Sequence, residues 1–179
     1  MKIITLEKTR NDLAQEFSGI GAEIGVEQGV FSEIICLNNN VKKLYSIDAW
    51  KSYRGYRDHV RQQKLDSFYE LSKMRLAKYN CEIVRKFSKE AASDFIDGAL
   101  DFVYIDANHE YAHVQDDIML WVKKVRVGGI VSGHDYVRRK GQDSFYGVVR
   151  AVNEYVIENK IEELVIYRGD TSPSWKFIK

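Results

Sequence analysis

Acidic and imidazole side chains stand at the ends of short apolar runs: Glu23, Asp48, Asp106 with Asn108 and His109, and His134 with Asp135. Carboxylates accept hydrogen bonds and hold cations, and imidazoles move protons near neutral pH. Two acids and two imidazoles (Asp106, His109, His134, Asp135) at one rim could bind a divalent cation, or serve as general base and orienter. Asp106 could instead hold the charged end of a ligand or satisfy backbone N–H groups. Ser88, after another apolar run, caps a helix and could in addition meet the amine of a bound base. His113 has no such company and reads as a surface residue.

These residues need a scaffold that gathers strand ends, and the stretch from Ile20 to Phe31 supplies its first unit. An apolar run, two glycines four apart (Gly25 and Gly29) and an amphipathic segment (Phe31, Ile34, Ile35, Leu37) read as strand, tight turn and helix. Gly25 lets the backbone turn sharply, and Gly29 lets the helix pack close to the strand or the ligand. A dinucleotide fingerprint would read G-x-G-x-x-G, with pyrophosphate on bare helix N–H groups. Here the pattern is E-x-G-x-x-x-G with Glu27 inside the turn, which repels pyrophosphate and tolerates a cationic ligand. S-adenosylmethionine, with a sulfonium, an ammonium and no phosphate, is such a ligand. Asp48 follows Gly29 by about the twenty residues at which such folds place the acid that grips a ribose; its other reading is a loop cap. Trp50 either stacks on an adenine or fills the core.

The remaining chain alternates in kind. A short helix with Leu6, Leu13 and Phe17 on one side precedes Gly19, and strands are expected at Val41 to Ile47, Cys81 to Val84, Leu100 to Ile105 and Ile130 to Ser132. A helix runs to about Val125, Val127-Gly128-Gly129 makes a turn, and a further helix covers 146–159. Leu164 to Tyr167 and Trp175 to Ile178 form the one antiparallel hairpin. Residues 51–80 hold a polar aromatic loop (Tyr53, Arg54, Gly55, Tyr56, Arg57) and a charged helix with Leu65, Phe68, Leu71 or Ser72, and Leu76 in its seam. This segment is a solvated helix with its connection, or a lid and substrate wall. The pattern is a single Rossmann-like, doubly wound α/β domain over residues 1–179.

Composition narrows the partners. A net charge of +1 gives no global pull toward nucleic acid or an anionic membrane. Basic residues flanking the rim (Lys51, Arg54, Arg57, Arg138, Arg139, Lys140) either form a solvated face or attract an anionic substrate. No apolar run approaches the roughly 20 residues of a membrane span, and the first residues lack a signal-peptide core. Cys36 and Cys81 show no metal-type spacing and read as free thiols of a reducing cytoplasm. Oligomer formation stays open.

The chain resembles class I S-adenosylmethionine-dependent methyltransferases, in particular the group similar to macrocin and other sugar O-methyltransferases. The resemblance rests on Glu23 to Gly29, Ile47-Asp48-Ala49-Trp50, Val103 to Tyr111 and Gly128 to Tyr136, and spans nearly the whole chain. It implies a seven-stranded, mostly parallel sheet with one antiparallel strand, the cofactor S-adenosyl-L-methionine, and methyl transfer to a hydroxyl of a small sugar-like or phenol-like acceptor. Glu23, Gly25 and Gly29 would line the methionine end and Asp48 would hold the ribose, with Trp50, Ser88 and Asp106 as further cofactor contacts. Asp106, His109 and His134 would be the catalytic candidates. Asp106 and Asp135 match positions at which relatives bind a magnesium-type ion. His134 departs from the second aspartate of that pattern, which suits a hard ion less and a proton acceptor more. The competing readings are a nicotinamide-dependent oxidoreductase, disfavoured by Glu27; a nucleic-acid methyltransferase, whose Pro-Pro-aromatic signature is missing after Asp106; and a non-catalytic cofactor-binding module.

Overall fold

Period-two alternation buried on both faces fixes this fold. The computed structural model describes residues 1–53, 61–137 and 147–179; the readings placed on Arg54 to Arg57, on Arg138 to Gly141 and on Tyr146 fall outside these described residues. The strands are β1 (Lys2–Leu6), β2 (Gly19–Ile24), β3 (Val41–Asp48), β4 (Cys81–Arg85), β5 (Leu100–Ile105), β6 (Val125–Gly133), β7 (Glu163–Tyr167) and β8 (Ser174–Ile178). The helices are α1 (Arg10–Ala14), α2 (Val30–Cys36), α3 (Gln62–Leu76), α4 (Ser88–Ala92), α5 (Tyr111–Lys124) and α6 (Val148–Glu158).

Along β5, Phe102 and Tyr104 join one core with Leu13, Phe17, Phe31 and Ile35, whereas Val103 and Ile105 join the other with Ile118, Trp121 and Val152. Strand β7 divides in the same way, Val165 and Tyr167 against Leu164 and Ile166. Helices α1 and α2 therefore cover one face, and α4, α5 and α6 the other. Burying both faces removes apolar surface at about 25 cal/mol per Å², which is why these strands read as continuous apolar runs.

The sheet order is β1-β7-β8-β6-β5-β2-β3-β4. All pairings are parallel except those of β8 with β6 and with β7. The terminal hairpin is as expected, but the sheet has eight strands, not seven. The added one, β1, lies at an edge in register with β7, from Lys2 opposite Glu163 to Leu6 opposite Tyr167. Leu6 reaches the α1 core from this strand, so the helix before Gly19 shrinks to Arg10–Ala14, started by a Thr9–Asp12 capping box. Strand β6 begins earlier than expected and absorbs Val127-Gly128-Gly129, with Gly128 at φ +76° inside it. In α3 the seam takes Ser72 and leaves Leu71 exposed.

Strands β2 and β5 are neighbours, and the chain goes on from β2 to β3 on one side and from β5 to β6 on the other. Ligands of open α/β sheets bind at such a switch point, beyond the carboxyl ends of the strands.

Candidate active site

Gly25 shapes the switch point. It has φ +92°, and a Cβ there would stand 2.1 Å from the Asp106 carbonyl oxygen, so only glycine lets the end of β2 lie against the chain leaving β5. Asp106 N in turn donates to Ile24 O at 2.7 Å. Gly29 (φ +73°) caps α2 and faces Ser72 and Leu76 of α3, with 3.2 Å to each for an added Cβ. Its lack of a side chain thus serves helix–helix packing, rather than the strand or a ligand.

Between these strand ends lies a cavity of about 730 Å³, in the range of small-molecule sites. Glu23, Gly25, Asp48, Trp50, Ser88, Asp106 and His109 line it. Gly29, His134 and Asp135 do not, whereas His113, although exposed, does. Its acidic side chains are Glu23, Glu27, Asp48, Asp106 and Asp117, and its basic ones Arg10, Lys51 and Lys86 with the imidazoles of His109 and His113.

Asp48 is already occupied in part. Its Oδ2 accepts from Val26 N (3.0 Å) and Glu27 N (3.1 Å), and its Oδ1 from Trp50 N (2.8 Å). One carboxylate thereby pins both the glycine turn and the chain leaving β3, and retains lone-pair capacity on Oδ1. Trp50 has φ +40°, is 1% exposed, and donates its indole N–H to Glu27 O at 2.7 Å. It packs with Val26, Leu65 and Phe68, so it is a core aromatic with an edge on the cavity. Among the described residues Glu27, Trp50 and Asp135 carry positive φ at this rim, where backbone strain concentrates in functional sites.

Glu23 is 2% exposed, accepts a hydrogen bond from the Ser32 hydroxyl, and through Ser32 meets Ser46 (3.0 Å). Burial pushes its carboxyl well above the usual range, against the Ser32 hydrogen bond, and the Asp106 charge adds to the rise. Arg10 was not anticipated from sequence. It lies with its guanidinium 4.9 Å over Phe31 and 3.9 Å from Asp106 Oδ2.

Behind Asp106 the imidazoles converge as expected. His109 Nε2 lies 2.9 Å from Asp135 Oδ2 and 3.3 Å from Asp106 Oδ1. Burial alone would lower its pKa, but the hydrogen bonds to Asp106 and Asp135 raise it to about 10, which favours the imidazolium form. Asp135 is held far below the usual carboxylate range: burial opposes this, and His109 and His134 outweigh it. His134 Nδ1 stands 3.2 Å from Asp135 Oδ2 and 3.7 Å from Asp106 Oδ2, while its Nε2 is buried with no partner among the described residues. Ligand atoms of Asp106, His134 and Asp135 all lie within 4.8 Å of one another.

Ser88 departs from its expected cap role. The cap position belongs to Phe87, and Ser88 opens α4 with its hydroxyl donated to Asp117 of α5. The i, i+4 spacing of His113 and Asp117 places both on the cavity side of α5. No sequence signal separated Asp117 from any other polar residue of that helix.

A doubly wound sheet with an acid-rich cavity at its switch point is a Rossmann-like architecture. The family is narrower: residues 22–136, well over half of the chain, match the family model described as a methyltransferase domain, and the chain belongs to that family. Among curated proteins it is similar to an uncharacterized protein of Acanthamoeba polyphaga mimivirus, 24% identical over 140 residues, covering 76% of this chain and 58% of that one. Among solved structures it is similar to an O-methyltransferase from Bacillus cereus in complex with S-adenosylhomocysteine (TM-score 0.69, 14% identity, 95% of this chain and 80% of the other). The O-methyltransferase TomG from Streptomyces achromogenes, in complex with S-adenosylmethionine, gives TM-score 0.64 at 16% identity, over 94% and 77% of the two chains. The N-methyltransferase NodS from Bradyrhizobium japonicum gives 0.63 at 14%, over 95% and 94%. At these identities the structures establish the fold, and they differ in the atom methylated. No described helix is long and apolar enough to cross a membrane.

Proposed function

We propose that this chain, as one domain, transfers a methyl group from S-adenosylmethionine to a hydroxyl of a small acceptor. The observation that carries the reading is the cavity's lining: carboxylates of Glu23, Glu27, Asp48 and Asp106 around a glycine turn suit a sulfonium–ammonium ligand and oppose pyrophosphate. The same charge pattern disfavours a nicotinamide dinucleotide.

Buried Glu23 faces the methionine end, where a cationic partner would draw its carboxyl into the ionised form. Gly25 gives the ligand close access to backbone. Asp48 fixes the turn with one oxygen and offers the other to the ribose. Gly29 acts only by seating α2 on α3, and Trp50 as a wall. Residues 51–80 supply another wall through Lys51, Tyr53, Leu65 and Phe68.

S-adenosylmethionine brings an electrophilic methyl group; the protein must orient the acceptor oxygen in line and take its proton. Asp106 is the acid that both lines the cavity and touches the imidazole cluster, so it receives that proton. His109, whose protonated form the two carboxylates favour, holds Asp106 and Asp135 in place, which leaves Asp106 the better placed base. His134 directs its Nδ1–H at Asp135, 3.2 Å away, and stands 3.7 Å from Asp106, so it orients this carboxylate cluster.

A divalent cation such as magnesium is a second reading, favoured by the 4.8 Å cluster of Asp106, His134 and Asp135. Bound there, it would polarise the acceptor hydroxyl. It would share Asp106 and Asp135 with the His109 imidazolium, so cation and proton would compete.

The test is methyl transfer from labelled S-adenosylmethionine to a panel of sugars and phenols, with and without a chelator. Label on an acceptor oxygen supports the proposal, and loss of transfer with chelator adds the metal. No calorimetric heat with S-adenosylhomocysteine, together with uptake of a nicotinamide dinucleotide, would sink it.

A further inference from the structure

The cavity contains an acidic group that the methyl-transfer scheme does not use. Asp117 is 6% exposed, lies on α5, and lines the cavity beside Phe87 and Ser88. With its carboxyl ionised, the hydrogen-bond directions around it are determinate. Trp121 Nε1, which can only donate, gives its hydrogen to Ser88 Oγ at 2.8 Å. The single Ser88 hydroxyl proton is then committed to Asp117 Oδ1. Oδ2 has no partner among the described residues and is the atom left for whatever occupies this end of the cavity.

We propose that Asp117 Oδ2 accepts a hydrogen bond from the exocyclic amine of the bound purine, so that α5 makes the site specific for a 6-amino over a 6-oxo base. This rests on the adenosyl-cofactor reading given above. The placement follows from the strand ends: Glu23 and Asp106 lie where β2 and β5 end, Asp48 beside them after β3, and Ser88 with Asp117 beyond β4. A ligand with its ribose at Asp48 and its charged end at Glu23 directs its base toward Ser88 and Asp117. An adenine amine there supplies the donor that the buried carboxylate lacks. A hypoxanthine would place its carbonyl oxygen against the carboxylate, acceptor facing acceptor, leaving both unsatisfied. Burial pushes the Asp117 carboxyl up to about 7, and a donor on Oδ2 stabilises its ionised form. Ser88 is therefore a positioning residue: it holds Oδ1 and spends its only proton there.

The test is calorimetric titration of the full chain with S-adenosylhomocysteine and with its 6-oxo counterpart, S-inosylhomocysteine. The wild-type protein should bind the adenosyl compound roughly 10- to 100-fold more tightly, as for one hydrogen bond to a charged group. In Asp117→Asn the Ser88 proton fixes the amide oxygen at the Oδ1 position, which turns the amide N–H groups to the cavity; the preference should be lost or inverted. Should that variant fail to fold in a thermal melt, Asp117→Ser replaces it, and the preference should then be lost. A wild-type protein that binds both compounds equally, or a folded variant that keeps the full preference, overturns the role of Asp117 and leaves the cofactor reading standing. No binding of S-adenosylhomocysteine at all overturns both.

Discussion

Replacing Asp117 by asparagine should also make stability depend on pH differently. Burial raises its carboxyl pKa from 3.8 to about 7, against the Ser88 hydrogen bond. The folded-state pKa is thus above the unfolded one, so ionisation is harder in the folded chain. The resulting penalty is absent below the unfolded pKa, grows between 3.8 and about 7, and is complete above that. At about 1.4 kcal/mol per unit, the full penalty is about 4 kcal/mol, of which about 2.5 kcal/mol accrues between pH 5 and pH 8. An asparagine does not ionise, so any fixed cost of the amide is the same at both pH values. Urea unfolding of both proteins at pH 5 and pH 8 reads the difference directly. The variant should gain about 2.5 kcal/mol on the wild type over that interval, with unchanged m-values. A stability difference that stays constant across the interval would refute the reasoning, because it would mean that Asp117 ionises as easily in the folded chain as in the unfolded one.

Other substitutions probe the rim. Gly25→Ala puts a Cβ 2.1 Å from Asp106 O at φ +92°, and should cost more than about 3 kcal/mol in urea melts; a wild-type midpoint would contradict the close approach. Asp48→Ala leaves the N–H groups of Val26, Glu27 and Trp50 without their acceptor. It should cost about 2–4 kcal/mol and weaken S-adenosylhomocysteine binding severely; unchanged affinity would remove the ribose role. Asp135→Ala should cost turnover while leaving cofactor affinity mostly intact, and a loss of affinity alone would argue the reverse. With metal stripped by chelator, wild-type turnover should recover on adding magnesium if Asp106, His134 and Asp135 hold a cation, and should not fall at all if His134 and Asp106 suffice.

Local patterning was enough for much of this protein. The runs around Ile20 to Ile24, Val41 to Asp48 and Leu100 to Ile105 name their own strands, because a strand buried on both faces must be apolar throughout. The Gly25 turn and the acids at strand ends follow, since a parallel sheet delivers those ends to one rim. Three things required the tertiary structure. Strand β1 exists because β7, some 160 residues away, offers an edge to Lys2–Leu6. The left-handed backbone of Glu27, Trp50 and Asp135 contradicts local preference and is set by surroundings such as the Asp48 hydrogen bonds. Arg10 and Asp117 carry no motif: each becomes part of the cavity only when α1 and α5 dock on opposite faces of the sheet. Periodicity reports which face of an element is buried, whereas the surroundings of a single polar side chain are set by segments far away in the chain.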